Sequence, residues 1–151
     1  MLVVAAVVMG LLGACDAAGS PGDDGVGTAP PGLHPTRLAG TTWRIVSAQG
    51  RPIPGGDDQV AFDETRVFGS AGCNRFTAGV AYRPDTGAIS MLQPATTEMA
   101  CPGARDTFER GFLQALVGAR TASLDPTGRL SLEGLGGPIV LEPSDRPRPT
   151  D

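Results

Sequence analysis

The side chains of this chain best suited to covalent chemistry are three cysteines, Cys15, Cys73 and Cys101. Cys73 lies in Arg66-Val67-Phe68-Gly69-Ser70-Ala71-Gly72-Cys73-Asn74-Arg75-Phe76, where an apolar strand runs into a Gly-Cys-Asn turn and leaves as another strand. A cysteine at such a bend can crosslink two elements. Cys101 stands in Thr97-Glu98-Met99-Ala100-Cys101-Pro102 and opens a helical pattern. The partial positive charge of a helix N-terminus lowers a thiol pKa. Two chemistries are therefore open to Cys73 and Cys101: a structural staple and a thiol redox enzyme.

Other reactive constellations are weak. The only histidine, His34, ends a polar stretch with no neighbouring carboxylate or thiol cluster, so neither a metal ligand set nor a catalytic base is expected. Asp57-Asp58 and Asp63-Glu64 lack the glycine and spacing of a calcium loop and read as a solvated hairpin end. Asn74 suits a turn in which its amide caps a neighbouring peptide group, and Arg75 suits a strand edge. There is no Gly-x-Ser-x-Gly, no phosphate loop and no motif-placed pair of carboxylates. No catalytic residue, metal or cofactor is expected.

The odd cysteine is set apart by its surroundings. Residues 2–12 are apolar except for Gly10, shorter than the ~20 residues of a membrane span but suited to the core of a secretory signal. The run ends in Leu12-Gly13-Ala14-Cys15, which resembles the bacterial lipobox, although no Lys or Arg precedes it. Small side chains beside the scissile bond admit the peptidase, and the Cys15 thiol is the nucleophile that accepts diacylglycerol. The alternatives are an uncleaved short anchor or a buried apolar strand. Residues 16–35 bury almost nothing and are expected to form a flexible tether of roughly 25 Å reach.

All twelve basic residues are arginine, and the formal charge is −4. Within residues 36–143, ten arginines face eleven acids, so the folded part is nearly neutral and carries no footprint for nucleic acid.

Strand patterns follow from residue 38 onward. Trp43, Ile45 and Ser47 alternate with Thr42, Arg44 and Val46, which turns Trp43 inward. Further strands are expected over 59–63, 66–70, 75–83 and 88–92, then over 121–124, 130–133 and 139–142. Between these groups a helix is expected from Cys101-Pro102 to about Gly118. Its apolar stripe is Phe108, Phe112 and Leu116, and Arg105 with Glu109 and Asp106 with Arg110 form opposite charges four apart. Gly111 in its middle implies close approach of helix and sheet backbones. Trp43, Phe62, Phe68, Phe76, Phe108 and Phe112 form either a core or the lining of an apolar cavity between sheet and helix. Residues 144–151 are polar and proline-rich, a frayed tail.

Leu38-Ala39-Gly40-Thr41-Thr42-Trp43, Val67-Phe68-Gly69-Ser70-Ala71-Gly72-Cys73-Asn74-Arg75-Phe76, Thr97-Glu98-Met99-Ala100-Cys101 and the stripe over 108–116 together resemble the META-domain family, the HslJ-like heat-inducible proteins of the bacterial envelope. The resemblance covers residues 36–143. It implies an α+β, mostly β fold: a strongly curved antiparallel sheet, a half barrel of about seven to eight short strands, packed on one helix. It also implies a disulfide between Cys73 and Cys101, an association with heat or drug stress, and no catalytic residues. With no Cys-x-x-Cys and no nearby histidine, the staple is favoured over the reactive thiol.

The expectation is a lipid-anchored envelope protein in four parts: signal 1–14, acylated Cys15 with tether 15–35, META domain 36–143 and disordered tail 144–151. It would sit on the outer face of the plasma membrane or on an outer membrane, and its membrane contact would be through Cys15. Its partner would be an envelope protein or an apolar ligand, and its work non-enzymatic binding; a small lipid carrier and a thiol enzyme using Cys73 and Cys101 are the alternatives.

Overall fold

The computed structural model describes residues 34–150. In chain order β1 (Thr42–Ala48), β2 (Arg51–Pro52), β3 (Gln59–Phe62), β4 (Arg66–Ser70), β5 (Arg75–Arg83), β6 (Ala88–Met91) and β7 (Ala95–Thr96) precede α1 (Ala104–Gly118). After the helix come β8 (Ala119–Leu124), β9 (Leu130–Gly134) and β10 (Ile139–Pro143). The long strands fall where apolar and polar residues alternate; β2 and β7, of two residues each, carry no such pattern and were not expected.

Strand pairing runs β10-β9-β8-β6-β5-β4-β3-β1, and β10 pairs again with β1. The expected curved antiparallel sheet is present and closes fully into an eight-stranded barrel, with β2 and β7 as extra strands. Its seam runs from Trp43↔Pro143 to Ala48↔Ile139 and leaves β1 and β10 without a free edge there. A register shift between Ile45 and Ser47 breaks the alternation of β1, so Ala48, not the expected Ser47, is buried.

Ile45, Phe62, Val67, Leu130, Leu132, Ile139 and Leu141 are fully buried inside the barrel. Each contributes about 1.5–3 kcal/mol by leaving water. Trp43 joins them, and its indole N–H donates to Thr41 Oγ1 at 2.7 Å, whose hydroxyl donates to Leu38 O at 2.5 Å. That chain of bonds fastens the turn before β1 to the core.

The helix starts three residues later than expected, because Gly103 adopts φ 102° and breaks the turn that Pro102 would have opened. Phe108, Phe112, Ala115 and Leu116 form its buried face. Phe112 stacks near Phe76 and Phe108, with ring centroids 5.5 and 6.4 Å away. Gly111 meets no sheet backbone: a Cβ there would stand 2.8 Å from the Gln49 side-chain oxygen. The close backbone approach lies instead at Gly136, where a Cβ would be 2.5 Å from Ala115 Cα.

Both ends of the described chain lie against the barrel. His34 Nδ1 is 3.2 Å from Ala122 O, and Pro35 is buried with its carbonyl accepting the Tyr82 hydroxyl at 2.5 Å. The last two residues of the expected tether thus belong to the domain. At the other end the expected frayed tail is corrected, since residues 144–150 run across the outside of the barrel. The signal, Cys15 and residues 16–33 lie outside the described residues.

Candidate functional site

Cys73 and Cys101 are joined by a disulfide with Cα atoms 5.8 Å apart, tying the turn after β4 to the segment that enters α1. Beneath this crosslink lie Asn74 and Glu109, the buried polar side chains among the described residues. Glu109 Oε2 accepts the backbone N–H groups of Cys73 at 2.9 Å and Asn74 at 2.6 Å. Its Oε1 accepts the Asn74 amide at 2.9 Å. The Asn74 carbonyl oxygen in turn accepts Met99 N–H at 2.7 Å and the Thr97 hydroxyl at 2.9 Å. A buried charge is tolerated when such donors replace its water. The Asn74 side chain bonds peptide groups as expected, but those of the distant segment over Thr97 to Met99, and it joins that segment to Glu109 of α1.

A cation completes the bracket. Arg105 donates through Nε to Gly72 O at 2.7 Å, through Nη1 to Pro54 O at 3.0 Å and through Nη2 to Asp58 Oδ2 at 3.0 Å. Asp58 Oδ1 accepts the Ser70 hydroxyl at 2.6 Å. Gly72 must be glycine here, because its φ is 124° and a Cβ would stand 2.6 Å from Arg105 O. Two expectations are corrected by this geometry. Arg105 and Glu109 are not a surface pair on the helix but face different tertiary partners, whereas Asp106 and Arg110 do pair. The acidic run is not simply solvated: Asp58 is half-buried against Arg105, Asp63 pairs with Arg66, Asp57 with Arg146 and Glu64 with Arg37.

The bracket positions a turn; it does not present a reacting group. Both carboxylate oxygens of Glu109 are engaged by donors that fix Cys73 and Asn74. Cys73 Sγ is bonded to Cys101 Sγ and lies 3.5 Å from Met99 O. Among the described residues no group of three His, Cys, Asp or Glu is placed to hold a metal ion, and no helix is long and apolar enough to cross a membrane.

Titration is perturbed elsewhere. Burial pushes the Tyr82 phenol upward. The Thr127 hydroxyl at 2.7 Å, with the N–H groups of Arg129 and Thr127, holds the Asp125 carboxyl below the usual carboxylate range in the β8–β9 turn.

Of the two readings for the large apolar side chains, core or cavity lining, the core is the one observed. Trp43, Phe62, Phe76, Phe108 and Phe112 pack into one core with the strands around them. Phe68 is corrected outright: its neighbour Val67 faces inward, so Phe68 points away from the barrel, opposite Ala61 and Thr77. The clefts that remain are on the surface. One of about 290 Å³ is lined by Arg66, Arg75, Thr77, Ala95, Thr97 and Thr150.

These features define a class: a small closed β-barrel, carrying one packed helix and stapled by a disulfide and a buried carboxylate at one rim. The META domain model matches residues 36–145, and the chain belongs to that family. No curated protein matches it. Among solved structures it is similar to a protein from Burkholderia xenovorans determined by NMR, at 21% identity and TM-score 0.63, over 86% of this chain and 100% of that one. A second NMR structure matches at 20% identity and TM-score 0.58, over 72% of this chain and 92% of that one. The crystal structure of a DUF4847 family protein from Bacteroides vulgatus matches at 14% identity and TM-score 0.51, over 73% and 96%. At these identities the likenesses concern the fold.

Proposed function

We propose that this META-domain protein is a lipid-anchored, non-enzymatic binding module of the bacterial cell envelope. The observation that carries the reading is the Cys73–Cys101 crosslink at the rim of the barrel. A disulfide of this kind persists in an oxidising compartment, which agrees with export through the apolar run that ends at Leu12-Gly13-Ala14-Cys15. Two or three acyl chains on Cys15 would make attachment stable, where one would be marginal. The filled core speaks against a carrier with an internal lipid cavity, and the bond between Cys73 and Cys101 speaks against a pair of free thiols. A role in heat or drug stress belongs to this reading through the family resemblance.

The test is phase partitioning of the full chain and its Cys15→Ser variant, both expressed in a bacterium with a lipoprotein pathway. The wild type is expected in the detergent phase and Cys15→Ser in the aqueous phase. Equal partitioning of the two would overturn anchoring at Cys15.

A further inference from the structure

The outward-facing residues Ala61 and Phe68 are only 0% and 4% exposed, although both sides of the register place them outside the barrel. The chain's own C-terminal segment crosses this face and, with Arg66, covers Phe68. Ser144 N–H donates to Thr42 O at 3.1 Å, and its hydroxyl bonds Gln59 Oε1 at 3.0 Å. Arg146 pairs with Asp57 at 2.8 Å. Arg148 donates to Phe62 O at 2.7 Å, pairs with Asp63 and sets its guanidinium 5.1 Å from the Phe68 ring centroid. Arg66, which shares Asp63 at 3.0 Å, stands 5.6 Å from the same ring. Thr150 ends the crossing by accepting from Arg75 at 3.1 Å.

We propose that the outer face of β3, β4 and β5 is a groove for an extended, arginine-bearing peptide, and that residues 144–150 occupy it in cis as a displaceable strap. The charge pattern fits that occupant: the groove offers Asp57 and Asp63 to Arg146 and Arg148 and an aromatic face to the second cation. Ser144 is tied by a backbone bond that extends the β1–β10 pairing, whereas beyond it the strap is held by side-chain bonds and the Arg146 and Arg148 ion pairs, which salt weakens. A cleft of about 290 Å³ lined by Arg66, Arg75 and Thr150 adjoins the same face. This inference is independent of where the protein is anchored.

The test uses the full chain, wild type and Arg146→Glu/Arg148→Glu, and a fluorescent synthetic peptide of residues 143–150. Fluorescence anisotropy should show the peptide binding the double variant at least about tenfold more tightly than the wild type, whose own strap competes at high effective concentration. A peptide carrying both Arg→Glu changes should not bind. Binding to neither protein, or equally to both, overturns the proposal. A measurement on the wild type alone guards against a misfolded variant: prolyl endopeptidase should cut after Pro147 and Pro149 slowly at low salt and several-fold faster at high salt. Cleavage at low salt as fast as in the free peptide would contradict a seated strap. Slow cleavage accompanied by a concentration-dependent dimer would assign the groove to a second copy's segment and overturn the cis arrangement.

Discussion

The carboxylate of Glu109, in the second turn of α1, holds the side-chain amide of Asn74 at 2.9 Å across 35 positions of sequence. The same carboxylate takes the backbone N–H groups of Cys73 and Asn74. Glu109→Ala would leave these donors unpaired in a buried site and should cost about 3 kcal/mol. Glu109→Gln keeps one acceptor but turns an NH2 group toward another donor, so about 1–2 kcal/mol is expected. Urea unfolding measures both; a Glu109→Ala change below about 0.5 kcal/mol would remove the bracket from the account of stability.

Removing the crosslink acts on a different state. The Cys73–Cys101 separation of 28 residues corresponds to about 3–4 kcal/mol of loop entropy in the unfolded chain. Cys73→Ala/Cys101→Ala should lower stability by that amount and, combined with Glu109→Ala, the effects should add within about 0.5 kcal/mol. Coupling above about 1 kcal/mol would locate the crosslink's contribution in the folded turn.

Phe112 and Phe68 should behave differently under the same truncation. Phe112→Ala opens a cavity beside Phe76 and Phe108 inside the barrel and should cost about 3–5 kcal/mol. Phe68→Ala, covered only by side chains on the outer face, should cost about half as much, as thermal unfolding of the two variants will show.

Asp125 supplies a pH signature. Its carboxyl is depressed in the folded chain, chiefly by the Thr127 hydroxyl, so its contribution is present above the ordinary carboxylate pKa of about 4 and fades as pH falls through the folded value. The stability difference between wild type and Asp125→Asn should therefore be largest near neutrality and shrink in acid. A difference that grows on acidification would reverse the sign and contradict the assignment.

Local pattern made most of the strands readable: alternation marks β1, β4, β5 and β9, and turn residues mark the joints between them. Closure was not readable, because the β1–β10 pairing links chain ends whose residues carry no mark of each other. For Phe68, composition revealed a large ring but not its parity, which β4 sets through Val67. The bracket was half visible. Glu109 follows Phe108 within the apolar stripe, where an acid signals a buried partner, yet spacing alone joined it to Arg105. Tertiary donors three segments away decided otherwise. The C-terminal strap escaped for the opposite reason, since a polar, proline-rich composition resembles a free tail until Asp57, Asp63 and Phe68 are seen to receive its arginines.

Intact mass spectrometry of the full chain from a host with a lipoprotein pathway, alkylated with and without prior reduction, tests the anchored and stapled domain most directly. The expected result is loss of residues 1–14, added acyl mass on Cys15, and alkylation of Cys73 and Cys101 only after reduction. An unprocessed chain would contradict the lipid anchor, and free alkylation of Cys73 and Cys101 without reduction would contradict the staple and return the thiol enzyme to the front.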